Sequence, residues 1–285
     1  MLNVDLHTHS TISDGVLTPE DLAQRAHAHG TQLWALTDHD EVSGLARAQQ
    51  VAEELGIQFI PGVEISVTWL DRTVHIVGLG IDYEQPQLLE SLRSVRSGRT
   101  LRAQLMGEKL AELGFEGAYE GALAYATNAE LVSRTHFARF LVDEGHCKNM
   151  KEVFSRYLGD HKPAYVPMQW ASLEEAVQWI TAAGGKAVIA HPGRYKFTDQ
   201  QFELLFERFK SYGGIGIEVV TGSHAQKEYN RYARVAKRYG FEASSGSDFH
   251  WASENRMDIG KVPALPAGLT PIWHDWPINV GASNE

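Results

Sequence analysis

Apolar stretches of strand length recur along this chain, and they keep ending in histidines and carboxylates: Asp5-Leu6-His7-Thr8-His9, Thr37-Asp38-His39-Asp40, Gly62-Val63-Glu64, Val74-His75, Ala190-His191-Pro192 and Ser247-Asp248-Phe249-His250. Imidazole and carboxylate are the ligands of borderline divalent metals. Set at the carboxyl ends of successive strands, they bring residues distant in sequence into one mouth. The pattern constrains the chain to an α/β fold whose strands end on one side, and it points to metal-dependent hydrolysis there.

The segments between the motifs agree with such a fold. Thr18-Pro19-Glu20-Asp21 supplies an N-cap, a proline at the first helical position and acids in the first turn, so a helix runs through His29 to Gly30. Thr31 to Thr37 reads as a strand, Ser43 to Leu55 as a helix stopped by Gly56, and Ile57 to Val63 as a third strand, giving βαβαβ and a largely parallel sheet. Glu64 to Trp69 and Thr73 to Leu79 flank Leu70-Asp71-Arg72 as a hairpin. Residues from about 95 to 165 lack a strand pattern and read as a helical insertion. The alternation then resumes, with helices at 172–183, 199–212 and 226–239 and strands at 186–190, 214–220 and 242–245.

At 26 basic against 36 acidic residues the formal charge is −10, the wrong sign for holding nucleic acid over the whole surface. A polyanion must then be met locally, and bound divalent ions supply such a local field. Cys147 is the only cysteine, which excludes an intrachain disulfide and a zinc ribbon and points to the cytoplasm. The opening Leu2-Asn3-Val4-Asp5-Leu6 reads as a strand rather than a signal peptide, and no apolar run approaches the length of a membrane span. No obligatory protein partner is implied.

His7 and His9 stand two apart on a strand and project to one face, with Asp14 on the loop beyond. Asp38 and Asp40 flank His39 and are candidates to orient its ring, although Asp38 could equally cap a loop. Glu64 has two oxygens and could bridge two cations. His75, alone in an apolar strand, is open between ligand and core residue. His191 ends an apolar run, and Asp248 and His250 repeat the spacing of two. His27 and His29 sit in the last turn of a helix, where positive charge is favoured. His146, His161 and His274 lack ligand-rich company, and His224 is open.

These motifs, in this order and over nearly the whole chain, resemble the signature of the polymerase and histidinol phosphatase (PHP) superfamily. The resemblance implies a distorted seven-stranded (β/α) barrel holding up to three divalent ions, and the ligand types favour manganese, with zinc, iron(II) and magnesium compatible. It assigns His7, His9, Glu64 and Asp248 to one ion, Glu64, His75 and His191 to a second, and Asp14, His39 and His250 to a third. Asp14 stands where some members carry histidine.

Ile12-Ser13-Asp14-Gly15, Val74-His75-Ile76-Val77-Gly78-Leu79-Gly80, Ser133-Arg134-Thr135-His136-Phe137-Ala138-Arg139 and Ala190-His191-Pro192-Gly193-Arg194 are similar to the branch containing 3′,5′-nucleotide bisphosphate phosphatases and the 5′-to-3′ exoribonuclease RNase AM. That likeness implies that the helical insertion covers the barrel mouth, that Arg134, His136 and Arg194 bind phosphate, and that the substrate is a 3′,5′-bisphosphonucleotide or short 5′-phosphorylated RNA. In the expected phosphoester hydrolysis Asp248 steers a proton, and His191 or His250 assists protonation. The alternatives are a histidinol-phosphate phosphatase and a noncatalytic metal-binding module.

Overall fold

Strand β1 (Val4–Asp5) is followed by helix α1 (Pro19–Ala28), where the Thr18 hydroxyl accepts the Asp21 N–H and Pro19 occupies the first turn. The computed structural model describes residues 2–168, 170–253 and 256–278. Strand β2 (Leu33–Leu36) and helix α2 (Leu45–Glu54) lead to β3 (Gln58–Trp69). Leu70 and Asp71 take φ of 47° and 59°, the double positive φ that a two-residue hairpin demands, and turn the chain into β4 (Arg72–Leu79).

A helical stretch follows: α3 (Pro86–Glu112), α4 (Ala118–Leu123), α5 (Arg134–Asp143) and α6 (Met150–Val153). The chain then returns through β5 (Ala171–Ser172), α7 (Leu173–Ala182), β6 (Lys186–Ile189), α8 (Asp199–Ser211), β7 (Gly216–Thr221), α9 (Gln226–Tyr239) and β8 (Glu242–Gly246).

The strands run in the order β1-β2-β3-β4-β6-β7-β8, with β5 paired to β3 off this path. Past the ends of β1 and β8 the sheet nearly closes: Leu6 N–H donates to Ser245 O at 3.0 Å, Asp248 N–H donates to His7 O at 2.8 Å, and Thr8 bridges Phe249 in parallel. The result is a distorted seven-stranded barrel. Strand pleating divides its core. Leu33, Ala35, Val77, Leu79 and Val188 fill the inside with Ile272, while Trp34, Leu36 and Ile76 face the outer helices.

Two features differ from the sequence expectation, and both position the site. First, β3 is one continuous strand rather than two segments that break at Glu64. Its first half pairs with β2 and its second with β4, and at the hand-over Glu64 N–H donates to Asp38 O while Glu64 O accepts the Asp40 N–H. Pro61-Gly62 is no break, because a Cβ at Gly62 would meet Thr37 Cγ2 at 2.8 Å: the glycine serves close strand packing. Second, β4, antiparallel to β3 as the hairpin requires, is antiparallel to β6 as well, so its first half lies at the mouth and carries His75 there.

A second apolar cluster, with members from Ala103 to Val166, includes Met106, Leu110, Phe137, Leu141 and Leu158. Helix α3 belongs to both cores: Leu88 and Leu92 pack on the barrel, Met106 and Leu110 in the second cluster. No helix among the described residues is long and apolar enough to cross a membrane.

Candidate active site

Three residues at the mouth hold positive φ outside glycine: Asp40 (50°), His191 (26°) and Asp248 (54°). Such backbone costs energy and clusters at functional sites, where it turns side chains that a regular strand would aim elsewhere. Around them the structure gathers His7, His9, Asp14, His39, Glu64, His75, His191, Asp248 and His250. Glu64 is fully buried at the centre. Its Oε1 lies 2.9 Å from His75 Nδ1, 2.9 Å from His191 Nε2 and 3.4 Å from His7 Nε2. Its Oε2 lies 2.9 Å from His39 Nδ1 and 3.3 Å from His9 Nε2.

Each carboxylate has one oxygen held and one bare. Asp248 Oδ2 accepts from Ser223 Oγ at 2.9 Å and Arg194 Nη1 at 3.2 Å, and Asp14 Oδ2 accepts from Ser133 Oγ. Asp248 Oδ1, Asp14 Oδ1 and Glu64 Oε2 are buried without a hydrogen bond among the described residues, as are His9 Nδ1, His39 Nδ1 and His75 Nδ1. The bare oxygens face imidazoles: Asp248 Oδ1 is 3.4 Å from His9 Nε2, and Asp14 Oδ1 is 3.3 Å from His250 Nε2. Buried polar atoms in such close contact without hydrogen-bond geometry fit ligation of cations.

Four overlapping groups have converging ligand atoms: His9, Asp14, His39 and His250; His7, His191 and Asp248; His7, His9 and Glu64; and His39, Glu64 and His75. These cut across the sets implied by resemblance. His39, for instance, stands with Glu64 and His75 as well as with Asp14 and His250.

The electrostatics match. Burial opposes the charge of Glu64, but His75, His7 and His39 outweigh it and hold the carboxyl well below its usual range. Asp248 is likewise held low, with burial overcome by His9, His250, His7 and Arg194. Burial, aided by His250 and His39, pulls His9 down to about 3. Burial also takes His75 to about 4 despite Glu64. His9 is then neutral at physiological pH, the form that binds metal.

Sequence reasoning missed Glu218, buried in β7. Its Oε1 accepts from His7 Nδ1 at 2.8 Å and its Oε2 from the His191 N–H at 2.5 Å, fixing the orientation of two candidate ligands. The signal was a lone acid inside Gly216-Ile217-Glu218-Val219-Val220, a run otherwise fit for burial.

The flanking aspartates of His39 behave otherwise than expected. Asp38 ties down the loop after β1, accepting from Ser10 N, Ser10 Oγ and Ser13 Oγ, so of the two readings the loop cap is the one observed. Asp40, turned by its positive φ, accepts from the Ser66 N–H and pairs with Arg99. The ring of His39 faces Glu64 and Asp14 instead. His224 stacks on Tyr232 and accepts the Gly193 N–H, away from the carboxylates.

Beside the histidines lies a recess lined by Arg99, Arg102, Arg134 and Arg194 together with Asp14, His39, His75 and His250. Arg99 and Arg102, one turn apart on α3, were not singled out from the sequence; in the fold Arg99 is buried. Arg102 is pulled down to about 9 by burial and then by the charges of Arg134 and Arg99, so the recess has an excess of positive charge. Arg134 Nη1 contacts Asp160 Oδ1 at 3.1 Å. His136 is buried, with Nδ1 accepting the Ser133 N–H in the capping box of α5.

Known proteins share this architecture. The chain is 51% identical over 275 residues to a 3′,5′-nucleoside bisphosphate phosphatase of Chromobacterium violaceum, covering 96% of each. It is 42% identical over 269 residues to a 5′-3′ exoribonuclease of Haemophilus influenzae, covering 94% of this chain and 97% of the relative. A solved structure of an amidohydrolase from Chromobacterium violaceum, with bound sulfate and no metal, superposes with a TM-score of 0.92 at 51% identity, covering 95% of this chain and 94% of that one. The model of the PHP domain matches residues 5–245, and with barrel, mouth and ligand order in agreement the chain belongs to the PHP domain family.

Proposed function

We propose that this protein is a metal-dependent phosphoesterase that hydrolyses 3′,5′-bisphosphonucleotides to 5′-nucleotides and phosphate, and that removes nucleotides from the 5′ end of short 5′-phosphorylated RNA. The observation that carries the reading is the adjoining of two sets of groups in one recess. Arginines with excess positive charge share it with the carboxylate of Asp14, whose Oδ1 is buried without a hydrogen bond, and with the imidazoles of His39, His75 and His250. The relatives act on substrates that fit, one on nucleoside bisphosphates and one on RNA, and the sulfate of the related structure is an anion of phosphate size.

His7, His9, Glu64 and Asp248, then Glu64, His75 and His191, then Asp14, His39 and His250 are the sets we assign to as many as three divalent ions. Asp14 adds a hard oxygen ligand, so manganese is the ion we expect. When bound, such ions acidify water and polarise a phosphoryl oxygen. Asp248, kept ionised, orients the proton of the attacking water, and its partner Arg194 meets charge developing on the phosphoryl group. His191 or His250 delivers a proton to the departing oxygen.

Arg102 and Arg134 anchor the terminal 5′-phosphate, and His136 acts behind them by capping the helix that carries Arg134. Residues 95–165 serve as a cover over the mouth. Contacts that support this are Ser133 and Arg139 on Asp14, and Arg96 and Arg99 on Asp40. A cytoplasmic setting fits the free thiol of Cys147.

The test is a product assay with manganese, in which adenosine 3′,5′-bisphosphate, short 5′-phosphorylated RNA and histidinol phosphate are compared. The first two should be turned over far faster than the third. A preference for histidinol phosphate, or no turnover of any of them, overturns the reading.

A further inference from the structure

Asp248 and His250 also line a second recess, walled by Gly222, Ser223, Trp251, Arg256 and Met257. His250 lines both this recess and the arginine-rich one. The guanidinium of Arg256 lies over the indole of Trp251, 3.9 Å from the ring centroid, nearer than the next such pair at 4.7 Å. Trp251 in turn meets the ring of His250 edge-on, with centroids 6.0 Å apart at 76°. A pair that served packing alone would be covered, but Arg256 is exposed and Trp251 only half-buried. The floor is held tightly. A Cβ at Gly222 would fall 2.0 Å from Ser247 O, and Ser223 Oγ donates to Asp248 Oδ2.

The two proposed substrates differ at one place that this geometry can recognise. In both, the oxygen of water bonds to phosphorus while the P–O3′ bond breaks, and O3′ leaves with the electron pair and takes a proton. In a bisphosphonucleotide the scissile phosphate bears nothing more. In RNA it remains attached to the second nucleotide, which must lie across the scissile phosphate from the anchored 5′-phosphate. With the arginines lining one recess, the neighbouring one, which shares His250 with it and is walled by Trp251 and Arg256, is the place open to the second nucleotide. Unpaired bases stack on aromatic faces and on guanidinium planes, with little dependence on sequence.

We infer that Trp251 and Arg256 form a stacking platform for the base of the second nucleotide of 5′-phosphorylated RNA, a site that a bisphosphonucleotide leaves empty. The inference rests on the phosphoesterase reading. The platform is what extends a nucleotide phosphatase to RNA.

The experiment compares Trp251→Ala, Trp251→Phe and Arg256→Ala with the parent protein on a 5′-phosphorylated RNA dinucleotide and on adenosine 3′,5′-bisphosphate. The ratio of the two catalytic efficiencies, RNA over bisphosphonucleotide, should fall at least about fivefold in Trp251→Ala, from the usual worth of one base stack. Trp251→Phe should restore most of it, and Arg256→Ala should lower it less. Equal losses on both substrates, or an unchanged ratio, overturn the platform. Equilibrium binding of the dinucleotide in EDTA separates the two levels of inference. If the parent protein hydrolyses neither substrate, the phosphoesterase reading fails, whereas the platform stands or falls on whether Trp251→Ala weakens that binding.

Discussion

One oxygen tied and one bare is the recurring condition of the carboxylates here, and it separates ligands from the groups that aim them. Glu64 offers Oε1 and Oε2 to different histidines, so Glu64→Gln removes the shared charge of adjoining groups. Its turnover should fall at least about a hundredfold, with loss of bound metal by elemental analysis. Near-native activity with full metal content would remove Glu64 from this role. Glu218 has both oxygens occupied, by His7 and by the His191 backbone, and acts through them. Glu218→Gln should therefore weaken metal affinity by about 10- to 100-fold, read by competition with a chelator, and should lower kcat less than Glu64→Gln does.

The sequence made the histidines and Glu64 legible because ligand types at strand ends are rare in combination. Glu218 escaped because an acid inside an apolar strand reveals its use only when its partners, 211 and 27 residues away, are known. Asp40 misled for the opposite reason: a neighbour of His39 in sequence, it is turned to other partners by a positive φ, while Asp38 caps the loop as one of its two readings had it.

At the scale of elements, α3 and α5 form the arginine side. Arg102 sits in an excess of its own charge, with its Nε donating to Val166 O. Arg102→Met keeps the apolar stem and removes the repulsion, so the melting temperature in phosphate-free buffer should hold. Catalytic efficiency toward 5′-phosphorylated substrates should fall at least about tenfold, the worth of a charge-assisted contact of roughly 1.5–3 kcal/mol. An unchanged efficiency would exclude Arg102 from phosphate binding. Periodicity showed α3 as a helix, yet which face was buried depended on a second core that no local pattern announces.

Helix α5 adds a pH dependence. Burial lowers His136 to about 4, below the ordinary 6.5, so the folded protein prefers the neutral ring that accepts the Ser133 N–H. As pH falls from about 6.5 toward 4 the unfolded chain takes the proton first. Stability present above pH 6.5 is lost, by up to roughly 3 kcal/mol. Glutamine suits the same capping position, so His136→Gln should flatten the acid side of the melting-temperature profile. An identical profile would show that His136 does not titrate on unfolding.

For the whole molecule, a charge of −10 and a local arginine recess set the response to salt. About three phosphate contacts on single-stranded RNA give a slope near −2 in a plot of log affinity against log salt. A slope steeper than about −4 would mean that a wide surface grips the RNA. The α/β class was readable from alternation, and the barrel from the family resemblance that the motif order carries. The antiparallel pairing of β4 with β6 was not, because how a strand meets a distant partner depends on that partner rather than on its own residues.

The closure of the barrel also bears on how the protein is made. Asp248 N–H bonds His7 O, and Phe249 pairs with Thr8, so one of the first strand's two neighbours is among the later segments to leave the ribosome. Helices α1 and α2 with their strands can condense early, since domains tend to build from the N-terminus during synthesis. The centre cannot. Until Asp248 and His250 have been made, the mouth lacks part of its carboxylate and imidazole set, so the centre is assembled only by the closing strand.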